Sequence, residues 1–175
     1  MMSQEGSKLI FWVNDFKARF IKLQVVAKNP TVDEDAQYNR SNIQISKFEF
    51  IDDNGTRFVW PSNTTITKSS WLLVYDPIEN MLDDTFSKMC VDCKRQLPFE
   101  ITLDLGEVVF DFKQWCFYRW WTAGDTAKFP SRNMMDWKLL ASSDGERWVY
   151  VDEVSGYNAP TQNNVLAYTS RRLEA

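Results

Sequence analysis

Ile43-Gln44-Ile45-Ser46-Lys47-Phe48-Glu49-Phe50-Ile51 alternates apolar with polar residues. Successive side chains of an extended strand point to opposite faces, so a period of two predicts a half-buried β-strand. Phe20-Ile21-Lys22-Leu23-Gln24-Val25-Val26-Ala27 carries the same pattern and predicts a second. Asp53-Asn54-Gly55 is a tight-turn signature that reverses the chain into a further strand over Thr56 to Trp60. Trp71 to Tyr75, Phe99 to Leu105, Trp115 to Thr122, Asp136 to Ser142 and Trp148 to Val154 complete the predicted strands, with Gly106, Asp144-Gly145 and Gly156 as punctuation. Many short strands separated by turn signals, with no long helical period, predict an all-β fold, an antiparallel β-sandwich or jelly roll.

The chain has 175 residues, which suits one domain. Residues 1–15 read as an N-terminal arm and 16–175 as the sandwich. The arm carries Phe11 and Trp12, awkward in a solvated tail, and this predicts docking on its own domain or a neighbour. Between the first two strands, Asn29 to Asn42 is polar and acidic, with the run Asp33-Glu34-Asp35, and reads as a solvated loop. Pro61 to Ser70 is rich in Ser, Thr and Asn, the mark of a long decorated loop on a rigid scaffold.

Composition narrows the function. A formal net charge of −4 argues against nucleic acid as a partner, since a phosphate backbone is held by clustered Lys and Arg. No apolar run is long enough to span a bilayer, and the start of the chain lacks the pattern of a signal peptide. Three cysteines, an odd number, suit synthesis in a reducing cytoplasm, with release in a virion as one outcome. The absence of histidine removes Ser-His-Asp and Cys-His catalysis and most zinc chemistry. Cys90-Val91-Asp92-Cys93 has the spacing of half a zinc knuckle or of a redox pair. Buried structural thiols, a disulfide, and a metal site completed by Asp92 all remain open for it. No pair of carboxylates among the 24 acidic residues stands out as a hydrolytic pair, so the chain reads as a non-enzyme.

From Phe99 to Val154 the chain presents Asp104-Leu105-Gly106, Tyr118-Arg119-Trp120-Trp121-Thr122-Ala123-Gly124-Asp125, Phe129-Pro130-Ser131-Arg132, Trp137-Lys138-Leu139 and Ser143-Asp144-Gly145-Glu146-Arg147-Trp148. In that order these motifs resemble the discoidin family, the coagulation-factor type C or galactose-binding-like modules. Ile43 to Glu49 resembles a strand of that family, and Asn80-Met81-Leu82-Asp83-Asp84-Thr85 resembles its calcium-holding loop, with Asp84 where Gly is usual and Met89 where Trp is usual. The similarity runs over roughly residues 18 to 155.

The resemblance implies a discoidin-like sandwich, with Trp137 and Trp148 in its core and loops at one end binding glycans, proteins or lipid head groups. Trp60, Trp71 and Tyr75 in the long loop, with Phe129 and Arg132 in the loop after Asp125, are the candidate ligand-binding residues, since sugars stack on rings and hydrogen-bond polar neighbours. A structural calcium ion, if present, would sit at Asn80, Asp83, Asp84 and Thr85. Carbohydrate-binding attachment by a virion-surface or assembly-linked protein, such as a phage capsid decoration or fibre component touching shell proteins, is the leading expectation. An intracellular protein-interaction domain and an accessory domain of a secreted glycosidase are the alternatives.

Overall fold

A computed structural model describes residues 16–38 and 40–173; the expected arm over residues 1–15 lies outside the described residues. The strands are β1 (Lys17–Ala18), β2 (Phe20–Lys28), β3 (Asn42–Ile45), β4 (Lys47–Ile51), β5 (Thr65–Lys68), β6 (Leu73–Asp76) and β7 (Met89–Asp92). They continue as β8 (Phe99–Asp104), β9 (Phe110–Asp111), β10 (Phe117–Trp121), β11 (Met134–Ser142), β12 (Val149–Val154) and β13 (Leu166–Thr169). One helical turn, α1 (Glu34–Gln37), falls in the expected solvated loop. The protein is an all-β antiparallel sandwich. A five-stranded sheet, ordered β12-β11-β2-β8-β5, forms one layer. Two three-stranded sheets, β13-β10-β4 and β3-β7-β6, form the other, and β1 pairs with β9 in a short ribbon.

The quoted stretch 43–51 is two strands. Its alternation slips by one position, with Ile43 and Ile45 inward before the slip and Phe48 and Phe50 inward after it. Ser46 takes up the slip. Its N–H donates to the Trp121 carbonyl at 3.1 Å and its hydroxyl to the Thr122 carbonyl at 2.7 Å, so the break leaves no backbone donor unpaired. The chain thereby passes from β3 in one small sheet to β4 in the next.

Aromatic side chains join the layers. Trp137 of β11 meets Trp120 of β10 edge-on at 5.9 Å and Tyr168 of β13 at 5.0 Å, favoured geometries for ring quadrupoles. The Trp137 indole donates to the Tyr118 hydroxyl at 3.0 Å, which donates in turn to Asp152 at 2.7 Å. Burial and the adjacent Asp152 carboxylate push the Tyr118 phenol far above its ordinary value, so it remains a donor.

Several expectations are corrected. Thr56 to Trp60 forms no strand; after the turn at Gly55, whose φ of +80° suits glycine, only an isolated bridge joins Ile51 and Arg57. Phe58 and Trp60 instead turn into an aromatic cluster with Phe48 and Phe50. Strands β1, β5, β7, β9 and β13 escaped the reading: β1 and β9 are two residues long, the edge strands β5 and β13 show little apolar alternation, and β7, central in its sheet, carries the cysteine motif. Trp137 is buried, but Trp148 is only half-buried, lying before β12 against Phe20 and beneath the Lys22 ammonium at 3.9 Å. The loop 29–42 is not simply solvated, since Asp35 within it is fully buried. The three cysteines are free thiols, all buried. No helix among the described residues is long and apolar enough to cross a membrane.

The two tryptophans therefore separate on substitution. Trp137→Ala should cost about 3–5 kcal/mol in chemical denaturation, the range for deleting a buried large ring, while Trp148→Ala should cost only about 1 kcal/mol for its edge contact and cation–π pair. Equal losses would place Trp148 in the core.

Candidate functional site

The outer face of the sheet β3-β7-β6 is polar where its inner face is apolar. Register places Asn42, Asp92 and Leu73 in one row and Gln44, Cys90 and Asp76 in the next, while Ile43, Ile45, Met89 and Val91 turn into the core. Solvent does not cover this polar face throughout. The loop after β10 crosses it and ends in a 3-10 turn, Pro130–Arg132, so that Gln44 is fully buried.

Arg132 fastens the loop. Its Nε and Nη2 donate to the two oxygens of Asp35 at 2.6 and 2.8 Å, a bidentate pair with both side chains nearly out of solvent. Nη1 reaches Gln44 Oε1 at 3.3 Å and Asp125 Oδ2 at 3.5 Å, and the Phe129 ring lies 3.7 Å from the guanidinium. Asp33 accepts from the Ser131 N–H and hydroxyl at 2.8 and 2.9 Å, which ties the acidic loop to the same turn. Lys88 donates to Asp125 Oδ2 at 2.5 Å and to Gln44 Oε1 at 3.3 Å. Burial alone would raise the Asp35 carboxyl; Arg132, helped by Asn42 and Lys28, outweighs it and holds the group below the usual carboxylate range.

Beside this knot opens a pocket of about 320 Å³. Arg132, Lys88 and Cys90 line it from the sheet and the crossing loop, Arg40 and Asn42 from the start of β3, and Tyr75 and Asp76 from the edge strand β6. A β-bulge explains the last two: Val74 pairs with Val91 and Asp76 with Cys90, leaving Tyr75 as the extra residue, so neighbouring side chains serve one cavity. Tyr75 is 56% exposed. Burial pushes the Cys90 thiol up to about 11, which leaves it protonated at neutral pH.

The hydrogen-bond inventory of the pocket is incomplete on the acceptor side. Asn42 is 4% exposed; its Nδ2 donates to Asp35 at 3.0 Å while its Oδ1 has no partner among the described residues. Asp125 Oδ1 is likewise buried and unpaired. The Asp76 carboxylate forms no hydrogen bond or ion pair with any described residue. Buried acceptors are ordinarily satisfied, so the Asn42 and Asp125 oxygens are exceptions, while the half-buried Asp76 carboxylate is the acceptor left open to the cavity.

Of the five residues expected to bind a ligand, the structure brings Tyr75, Phe129 and Arg132 together. Tyr75 and Arg132 line the pocket and Phe129 supports Arg132 from behind. Trp60 and Trp71 lie elsewhere: Trp60 packs on Phe48, Phe50 and Phe58, and the half-buried Trp71 donates to the Gln96 carbonyl at 3.3 Å. Asn42, Asp76, Lys88 and Arg40 were missed. Polar residues at strand positions read as solvated, and only their contact with the crossing loop reveals otherwise. Asp125, at the start of the crossing loop, faces Lys88 and Arg132.

The residues expected to hold calcium are closed by other partners. Asp84 accepts from Lys47 at 2.9 Å and pairs with Arg57, Asp83 accepts from the Thr85 N–H and hydroxyl at 2.8 and 2.6 Å, and Asn80 donates to the Lys88 carbonyl at 2.9 Å. Lys47 itself lies between the rings of Phe86 and Trp121. Two cations at Asp84 oppose a divalent ion, and among the described residues no three His, Cys, Asp or Glu side chains are grouped to hold a metal. No family model matches the chain, and neither does any curated protein or any solved structure.

Two measurements follow from these pairs. Asp35→Asn strands the buried Arg132 charge and should cost about 3–5 kcal/mol. Because the folded Asp35 carboxyl titrates below its unfolded value near 3.9, its contribution is present above about pH 4 and lost as pH falls through the lower folded value. The variant should therefore show a shallower acid-unfolding slope than wild type. At the other loop, Asp84→Asn should lower the melting temperature, whereas adding calcium or a chelator should leave it unchanged; a rise with calcium would restore a metal site there.

Proposed function

We propose that the chain is a non-catalytic, discoidin-like binding module that seats a sugar unit of a glycan in the pocket bordered by Tyr75, Asp76, Asn42 and Arg132. The observation that carries this reading is the pairing of an exposed ring with the open Asp76 carboxylate and partly exposed cationic donors in one cavity. A sugar offers a C–H face to stack on Tyr75 and hydroxyls that both donate and accept. Each hydroxyl can donate to Asp76 and accept from Arg40 or Lys88.

The non-catalytic reading has its own support. Among the described lining residues Asp76 is the one carboxylate, where glycosidic hydrolysis takes a pair, and the Cys90 thiol is held protonated. A shallow site of this size supports weak single-site affinity, on the order of 0.1–1 mM, which display in many copies on a virion or other assembly would raise by about 10²–10⁴.

A glycan array read with multimerised protein tests the proposal. Tyr75→Ala should weaken retention about tenfold, the loss of a stacking contact of roughly 1.4 kcal/mol, while the melting temperature stays unchanged. Trp71→Ala, outside the pocket, should leave retention intact. A blank array together with tight binding to a shell protein would favour a purely structural role.

A further inference from the structure

We propose that Asp76 is a specificity-determining residue that makes the pocket accept neutral sugar units and turn away acidic ones; this rests on reading the pocket as a sugar site. The inference starts from charge. Arg40, Lys88 and Arg132 line the cavity, a set that by itself would attract an anion. Two of these charges are already met: Asp35 holds Arg132 with both oxygens, and Asp125 holds Lys88. Arg40, 3.9 Å from the same Asp35, shares the cavity wall with Asp76, a carboxylate with no hydrogen bond or ion pair to a described residue. Three cations thus face three carboxylates. Lys28 and Asp33, whose charges are felt at the same knot, add one of each sign.

Position gives this neutrality its selectivity. Asp76 stands beside Tyr75 at the β6 bulge, on the cavity side of its row with Cys90 and Gln44, so a sugar stacked on Tyr75 lies within reach of it. A hydroxymethyl or ring hydroxyl donates to that carboxylate; a ligand carboxylate in the same place meets a like charge. At contact distances in a half-open cavity one such repulsion is worth about tenfold in affinity.

The test is isothermal titration of the full chain with hexose and hexuronate oligosaccharides matched in length and linkage: glucose with glucuronate, galactose with galacturonate, mannose with mannuronate. In any pair that binds, wild type should prefer the neutral member by about tenfold. Asp76→Asn, which keeps an acceptor and removes the charge, should erase that preference at an unchanged melting temperature. Arg40→Gln should widen it. Equal or tighter binding of the acidic members by wild type, or a preference that survives Asp76→Asn, overturns the proposal and leaves the sugar pocket standing. Binding of neither class refutes the pocket itself and the proposal with it.

Discussion

The paired oxygens of Asp35 against the guanidinium of Arg132 join two loops that are almost a hundred residues apart in sequence. A buried ion pair adds little net stability over an apolar substitute, because desolvation offsets its attraction, but it is costly to break and strict in geometry. Here that strictness positions the site. Arg132 draws the loop after β10 across the outer face of β3-β7-β6, which buries Gln44, sets Asp125 against Lys88 and leaves a cavity where the loop stops short of the edge strand. Without the pair, the polar row of β3 would be an ordinary wet sheet face.

The scaffold beneath serves that arrangement by a different device. Its inner surfaces interlock through edge-on aromatic contacts, and the buried polar chain from Trp137 to Tyr118 to Asp152 is linked at each step. Such a core tolerates variation in its loops, because their attachment points on the strands are fixed. The bulge at Tyr75 is the place where strand regularity yields to the cavity.

Sequence reasoning reached the fold through periodicity and failed where contacts are long-range. The alternation of 20–27 and 136–142 marks strands because one face of each is apolar, a local property. The slip at Ser46 is also local, visible in the change of phase between Ile45 and Phe48, and marks where the strand leaves one sheet for the next. Asp35 could not be recognised in this way: a carboxylate in an acidic run reads as solvated, and its burial depends on a guanidinium far along the chain. Tyr75 and Arg132 were legible as loop residues of suitable chemistry, whereas Asn42 was hidden at the end of a loop that reads as solvated and Asp76 just past the end of an expected strand. Trp60 and Trp71 show the opposite error, since rings beside polar residues resemble a sugar platform but pack on the core.

The central claim is that a sugar unit occupies the pocket beside the Asp35–Arg132 knot. Backbone amide shifts followed by NMR during titration with a neutral oligosaccharide test it most directly. The account predicts that the perturbed amides cluster at 40–42, 75–76, 88–90 and 132. Perturbations centred on Trp60 and Trp71, with the pocket amides unmoved, would contradict it.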